Sequence, residues 1–152
     1  MWRDPAKRMV FDNNKIFVAA EKKILHVTCA IMNTIYHLST CSTCKRILDE
    51  TGAGKKGTKA VTLQDIKTEK ITPEQLDAMK EKAGSYEALF SRRSMKYKEL
   101  GLKDKKLTES DYRKLILSEY TFLKRPVAII GKDIFIGSEK RSVEGLAEAL
   151  KR

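Results

Sequence analysis

The sequence predicts one α/β domain with the element order β–α–β, a helical insertion, and β–β–α. Two β-prone regions carry this prediction, one after residue 33 and one after residue 126, and between them the apolar residues follow a helical period. The chain has 152 residues, of which 41% are hydrophobic and 34% are charged. That composition supports a core beneath a charged surface and excludes a collagen-like, disulfide-knot or intrinsically disordered chain.

A β–α–β unit is predicted first. Residues 35–38 form a short β-prone run, and a helix over 45–50 follows it and stops at Thr51-Gly52. Residues 59–63 are predicted to form the second strand. A short crossover of this kind normally connects parallel strands.

The middle third, about residues 72–122, is predicted to be a helical insertion. Thr72 can cap a helix whose first position is Pro73, and Gln75 can complete a capping box. Further helices are expected around residues 85–90 and from Thr108 onward.

A hairpin and a closing helix end the predicted domain. Residues 127–130 and 134–136 are apolar and flank the turn sequence Gly131-Lys132-Asp133. Ser142 is expected to begin an amphipathic helix that buries Leu146 and Leu150.

Residues 1–31 differ from the rest and are predicted to be a poorly ordered N-terminal extension, with residues 32–152 forming the single domain. Met32 directly precedes the first strand and is a candidate for the working initiator. The first residues have no apolar stretch of the kind found in signal peptides. No run of 18 apolar residues occurs, so a membrane is not expected as a partner.

The charge balance points to an anionic partner. Thirty-one Lys and Arg residues against 20 Asp and Glu residues give a net charge of +11, which suits an oxyanion, a nucleic acid or an acidic protein surface. Direct binding to nucleic acid ranks last, because the basic residues are dispersed and not interleaved with aromatic ones. An odd count of three cysteines favours a reducing compartment, and we expect a cytoplasmic protein.

The spacing of Cys41 and Cys44 at a strand-to-helix junction indicates redox chemistry. A cysteine at a helix N-terminus lies at the positive end of the helix dipole, which favours the thiolate. Two intervening residues allow a disulfide to form within one helical turn. The alternatives are a half zinc site and two buried core thiols. Zinc needs further ligands, and beyond Cys29, His26 and His37 the sequence offers no second CxxC and no HxxxH, so no metal is expected.

Three arginines are candidates for binding an anion: Arg92, Arg93 and Arg125. Arginine presents a fixed fork of donors that suits a tetrahedral oxyanion, although each one taken singly is more often a solvated surface charge. The glycine-rich stretch 52–58 does not match the Walker phosphate loop, because Gly57 is followed directly by Thr58 and the stretch follows a helix. His37 is expected to be structural.

The motifs resemble those of the arsenate reductase (ArsC)/Spx family. The resemblance covers about residues 33–151 and rests on Ile35-Tyr36-His37-Leu38-Ser39-Thr40-Cys41-Ser42-Thr43-Cys44-Lys45, Leu89-Phe90-Ser91-Arg92-Arg93-Ser94, Tyr97-Lys98-Glu99-Leu100-Gly101-Leu102 and Leu123-Lys124-Arg125-Pro126-Val127. It implies a thioredoxin-like fold with a helical insertion and a cis Pro126 beside the cysteine loop.

The resemblance also implies site residues and partners. Cys41 matches the nucleophile that attacks arsenate, and Arg125 matches the arginine that holds the oxyanion. Arg92 or Arg93 lies in the segment that supplies the second arginine; Ser91 is a candidate for the strictly equivalent position, and Arg93 resembles the Spx-like members better. A resident cofactor is not implied, and the electrons come from an external thiol such as glutathione, glutaredoxin or thioredoxin.

Two departures leave two functions open. Residues 136–138, Ile-Gly-Ser, stand where the reductases have a third arginine, and Cys44 is atypical of those enzymes. The first hypothesis is a thiol-dependent oxidoreductase that reduces arsenate or a related thiol or disulfide substrate, with Cys44 resolving the intermediate. The second is an Spx-like redox-sensing regulator that binds RNA polymerase and uses the CxxC pair as a switch.

Overall fold

The computed structural model describes residues 33–152. The predictions made for the extension 1–31, for Met32 and for Cys29 lie outside these residues. The described elements follow the predicted order of β–α–β, helices, and β–β–α. They are β1 (Asn33–His37), α1 (Ser42–Thr51), β2 (Thr62–Asp65), α2 (Pro73–Ala83), α3 (Tyr86–Leu89), α4 (Met95–Glu99), a 3-10 turn (Leu102–Asp104), α5 (Glu109–Ser118), a second 3-10 turn (Tyr120–Phe122), β3 (Val127–Ile130), β4 (Asp133–Ile136) and α6 (Lys140–Lys151).

The described strands form one mixed sheet in the order β2-β1-β3-β4. β1 pairs parallel with β2, as the crossover predicted, and antiparallel with β3. β3 and β4 form the predicted hairpin, in which Gly131 has a φ of +60°. A glycine with positive φ at the first position of a two-residue loop is typical of the tight turns that match the strand twist.

Five predicted elements have wrong bounds, and one of them is β4, which begins at Asp133 instead of Ile134. β1 covers 33–37 instead of 35–38, and α1 begins at Ser42 instead of Lys45. β2 covers 62–65 instead of 59–63, because the Lys59 amide donates to the carbonyl of Leu150 at the end of α6 and not to β1. α6 begins two residues before Ser142, at Lys140.

The two faces of the sheet bury different sets of residues. On one face, strand residues pack against α1 and α6 in a cluster of Ile35, Ile47, Ala53, Ala128, Ile130, Leu146, Ala149 and Leu150. Successive strand side chains point to opposite faces, so Tyr36 faces away from this cluster. Burial raises the pKa of the fully buried Tyr36 to about 12.

The helices between β2 and β3 are tied together by a polar cluster and an aromatic cluster. Arg113 donates from Nε and Nη2 to the two carboxylate oxygens of Asp77, at 2.8 and 3.0 Å, and Tyr86 donates to the same carboxylate at 2.7 Å. Phe90 stacks on Phe122 with ring centroids 5.3 Å apart. These contacts join α2, α3 and α5 to the segment that leads into β3.

The capping box predicted at the start of α2 is present. Thr72 Oγ1 accepts from the Gln75 amide at 3.2 Å, and Gln75 Oε1 accepts from the Thr72 amide at 3.1 Å. Gln75 also exchanges two hydrogen bonds with the side chain of Gln64 on β2. The first turn of the helical insertion is therefore fixed to the sheet.

Candidate active site

The predicted site residues lie at one end of the sheet, which we call the thiol end. His37 at the end of β1 pairs with Asp65 at the end of β2. Tyr36 pairs with Val127, the first residue of β3, which in turn pairs with the last residue of β4. The loop after β1 and the segment before β3 therefore meet at this end, and they carry Cys41 and Arg125.

Cys41 is held in place by the backbone on both sides. Its amide donates to the Leu38 carbonyl at 3.0 Å, which closes a turn after β1. Its own carbonyl accepts from the Lys45 amide at 3.1 Å, which is the first hydrogen bond of α1. Cys41 therefore occupies the N-cap position of α1, where unpaired amides carry the positive end of the helix dipole.

The surroundings of the half-buried Cys41 thiol favour its ionised form. Burial raises its pKa, but hydrogen bonding from the Cys44 amide and thiol and from the Thr43 amide outweighs burial, and the charge of Arg125 acts in the same direction. The side chain makes no capping hydrogen bond of standard geometry, so these amides act through looser contacts. The pKa of Cys41 consequently lies below its ordinary value.

The surroundings of Cys44 favour its protonated form. Its side chain is 0% exposed, and burial raises the pKa of its thiol to about 11, with the neighbouring Cys41 adding to the rise and Arg125 opposing it. Cys41 and Cys44, the cysteines among the described residues, are both free thiols. The pair thus combines a thiol that ionises readily with a buried thiol that keeps its proton and can donate it.

Arg125 lies directly before a cis peptide bond to Pro126, as the resemblance predicted. The Pro126 carbonyl accepts from the Gly137 amide at 2.8 Å, so the segment after β4 is tied to this bond. Arg125 is half-buried and lowers the pKa of both cysteines. Among the predicted arginines, it is the one for which the structure gives an interaction with the thiol pair.

Arg92 and Arg93 follow a segment that is fastened to the chain before Arg125. Phe90 forms an isolated antiparallel bridge with Leu123, and the flanking backbone hydrogen bonds are Ser91 to Phe122 (2.6 Å) and Lys124 to Leu89 (2.8 Å). The bridge places the backbone of residues 89–91 beside residues 122–124, which lead into Arg125.

The two arginine side chains differ in their contacts. Arg92 is exposed and forms an ion pair with Glu87. A side-chain hydrogen bond with Tyr112 contributes most to raising the pKa of Arg92. Arg93 is exposed. The structure therefore brings Arg125 together with the two cysteines, whereas the guanidinium of Arg92 is bound to partners within the insertion.

Sequence reasoning missed Asp65 and Ser39. The Ser39 side chain donates to the Asp65 carboxylate and contributes most to lowering its pKa, and the Lys67 amide, 3.1 Å from Oδ1, acts in the same direction. Asp65 thereby joins the end of β2 to the loop that leads to Cys41. The sequence signal that could have found them is an acidic residue at the end of β2 and a serine just after β1, the parallel strand beside it. Within residues 33–152, no group of three or more His, Cys, Asp or Glu side chains is arranged to hold a metal ion.

Residues 36–146 match the ArsC family. The chain belongs to the ArsC family. Its fold resembles that of a Bacteroides fragilis protein named as related to the ArsC family (25% identity, TM-score 0.62, 77% of this chain and 98% of that one). It also resembles an arsenate reductase from Vibrio cholerae (20% identity, TM-score 0.60, 78% of this chain and 97% of that one). A third similar structure is an arsenate reductase (ArsC) related protein from Brucella melitensis (24% identity, TM-score 0.55, 74% of this chain and 92% of that one). No curated protein sequence matches the chain.

Membership of the ArsC family confirms the thioredoxin-like α/β fold predicted from the motifs. It also supports the coarser functional prediction of a thiol-dependent oxidoreductase that acts with an oxyanion and a thiol-redox partner. Across residues 33–152, none of the helices has the length and apolar character needed to cross a membrane.

Proposed function

We propose that the protein is an arsenate reductase-like thiol oxidoreductase in which Cys41 is the nucleophile and Cys44 resolves the intermediate. The single observation that carries this proposal is the placement of two free thiols three residues apart, one half-exposed at the N-cap of α1 and the other completely buried. The pKa of Cys41 is lowered at a helix N-terminus, whereas that of Cys44 is raised to about 11 by burial. Because the thiolate is the attacking form, the first step belongs to Cys41.

The reaction then follows in two steps. The Cys41 thiolate attacks the arsenic(V) atom of arsenate, forms a sulfur–arsenic bond and displaces one oxygen as water after protonation. Cys44 gives its proton to an oxygen of the bound arsenic group as its sulfur attacks the Cys41 sulfur. The disulfide forms, the sulfur–arsenic bond breaks, and its electron pair leaves with arsenic as arsenite, so arsenic gains two electrons and the thiol pair loses two. A thiol one helical turn away acts at high effective concentration.

Arg125 is proposed to hold the oxyanion during the first step. It already influences the charge state of both sulfurs, and its guanidinium offers paired donors to a tetrahedral anion. Arg93 or Arg92 supplies a second positive charge in this proposal, and Arg92 must exchange its ion pair with Glu87 to do so. Because residues 136–138 contain no arginine, the substrate class includes a related thiol or disulfide compound as well as arsenate.

The electrons that restore the dithiol are proposed to come from an external donor, glutathione with glutaredoxin or thioredoxin, with no resident cofactor. Each cycle consumes two electrons and two protons from that donor. Such donors are kept reduced in the cytoplasm, where we place the protein.

Arsenate-dependent oxidation of a thiol donor tests the proposal. We expect turnover by the wild-type chain and by Cys29→Ser, which serves as the matched control. Cys41→Ser abolishes turnover with every donor. Cys44→Ser abolishes turnover when a protein dithiol is the only donor, whereas added glutathione restores it by taking the place of the resolving thiol. Equal turnover by wild type and Cys41→Ser contradicts the proposal.

A redox-sensing regulator of the Spx type is the second candidate, and the presence of Cys44 favours it. A CxxC pair can serve as a disulfide switch, and the excess of basic residues suits an acidic protein surface. No turnover with any thiol donor, together with capture of RNA polymerase by only one redox form of the protein, supports this candidate over the enzyme.

A further inference from the structure

Residues 92–106 form the most strongly basic surface of the helical insertion. They contain seven Lys or Arg residues and two acidic ones, and we call them the basic insert face. Two large apolar side chains are also exposed here, Met95 at 71% and Leu100 at 50%. Methionine and arginine are enriched in protein interfaces and adapt to a partner's shape.

A shallow groove of about 440 Å³ crosses the basic insert face. It is lined by Arg92, Tyr97, Lys98, Gly101, Lys103 and Asp104. The Tyr97 ring packs edge-on against Phe90 with centroids 5.9 Å apart, and Ser94 caps α4 by accepting from the Tyr97 amide at 3.2 Å. The groove is therefore built on a packed aromatic cluster and does not need a partner in order to form.

The basic insert face begins next to the segment that leads into Arg125. Its first residue, Arg92, follows Ser91, whose amide is bound to the Phe122 carbonyl at 2.6 Å. Three residues after Phe122 comes Arg125, which acts on the charge state of Cys41 and Cys44. The face therefore begins beside the chain segment that ends at Arg125, and a partner that covers the face and extends along this segment approaches Cys41.

The positive charge of the basic insert face selects among its possible binding partners. A second copy of the chain carries +11 and is repelled. Residues 1–32 hold six basic and three acidic residues, so they offer no complementary charge either. A single-stranded nucleic acid gains affinity from aromatic rings on which its bases stack, and the Tyr97 ring, which lines the groove, is packed edge-on against Phe90. An acidic protein surface with apolar contacts matches the charge and the exposed Met95 and Leu100.

We propose that the basic insert face docks the acidic dithiol protein that reduces the Cys41–Cys44 disulfide, an inference that rests on the proposed function. One partner thiolate attacks the half-exposed Cys41 sulfur, because Cys44 is buried. The Cys41–Cys44 bond breaks and Cys44 leaves as a thiolate that takes up a proton. The second partner thiol then attacks the mixed disulfide and releases Cys41, so two electrons and two protons pass to this chain.

The test compares two donors and two charge-reversed variants. Oxidised wild type, Lys98→Glu/Lys103→Glu and Lys56→Glu/Lys59→Glu are reduced by a thioredoxin-class protein of net negative charge, and separately by dithiothreitol. The second variant is a matched control, since Lys56 and Lys59 precede β2 and lie at the sheet end opposite Cys41. Both variants change the net charge equally, and all four lysines are exposed.

Charge reversal at Lys98 and Lys103 is expected to lower the second-order rate with the protein donor about tenfold at low salt, because steering by complementary charge raises association rates by that order. The control variant keeps at least about half the wild-type rate, and the difference shrinks with added salt. The dithiothreitol rate stays within about twofold for all three chains, since a small neutral thiol needs no docking face.

Two results overturn the inference alone: an unchanged protein-donor rate in Lys98→Glu/Lys103→Glu, or an equal loss in the control variant. Tight binding of a single-stranded RNA probe that the same substitutions abolish also overturns it in favour of a nucleic acid. If wild type forms no Cys41–Cys44 disulfide, or if dithiothreitol cannot reduce it, the proposed function itself fails, and the docking inference fails with it.

Discussion

Selective alkylation of Cys41 follows from the different environments of the two thiols. At pH 7 a thiol with an ordinary pKa of about 9 is about 1% ionised, and the pKa of Cys41 is lowered by the Cys44 and Thr43 amides. A pKa of about 11 leaves roughly one Cys44 thiol in 10,000 ionised. The thiolate populations therefore differ at least about 100-fold.

Part of this advantage is offset because a thiolate of lower pKa is a weaker nucleophile. A Brønsted coefficient of about 0.4–0.5 over roughly two pKa units reduces the ratio by about eightfold. A net preference of at least about tenfold for Cys41 remains, and the complete burial of Cys44 increases it further.

Timed reaction of the reduced Cys29→Ser chain with iodoacetamide, followed by peptide mass spectrometry, measures the two rates separately. In concentrated urea the preference should disappear, because both thiols return to ordinary pKa values in the unfolded chain; this is the control. Equal rates in the folded chain, or faster labelling of Cys44, refute the reasoning.

Three further outcomes are expected. Arg125→Leu raises the pKa of Cys41 and lowers kcat/KM for arsenate about 100-fold, the usual loss for one oxyanion donor, as measured by thiolate absorbance and turnover. Asp77→Asn lowers the free energy of unfolding by about 1 kcal/mol at pH 7, since Arg113 and Tyr86 depress the Asp77 pKa to about 2 but the carboxylate is 45% exposed. Thr72→Ala removes the capping box and costs about 1 kcal/mol in urea unfolding.

The pH dependence of the stability difference between wild type and Asp77→Asn is the control for this prediction. The folded-state pKa of about 2 lies below the unfolded value of about 3.9. The contribution of Asp77 is therefore fully present above about pH 4 and is lost as the pH falls through 2. A difference between wild type and Asp77→Asn that persists below pH 2 contradicts this assignment.

Two controls apply to the other variants. Arg125→Lys keeps the charge but not the paired donors, and it should keep the lowered pKa of Cys41 better than it keeps turnover. Thr68→Ala removes a hydroxyl that donates to the Asp65 carbonyl in an exposed turn. If Thr68→Ala and Thr72→Ala lower the free energy of unfolding equally, the capping box does not stabilise the protein.

Local signals were enough to predict most elements. The strand, CxxC and helix sequence placed Cys41 at a helix N-terminus, and Thr72 with Gln75 predicted the start of α2 and its capping box. The apolar residues around Gly131 predicted the hairpin. Each of these features depends on residues within a few positions of one another, and a sequence read in short windows records such patterns.

Features that depend on distant residues were not predicted. The bounds of β2 depend on its register with β1, because Thr62 pairs with Thr34. The bridge between Phe90 and Leu123 joins two segments that no local pattern connects. Nothing in the sequence near Arg92 distinguishes a guanidinium that faces an anion from one that binds Glu87, so its side-chain partner appeared only in the structure.

The helical insertion leaves the sheet after β2 and returns before β3, and both points lie at the thiol end. The opposite rim, where the loop 52–60 connects α1 to β2, is consequently remote from the sulfur chemistry. A fluorophore or an affinity handle attached at Lys56 should leave catalysis untouched. That rim is therefore the place to immobilise the molecule when its partners are to be captured.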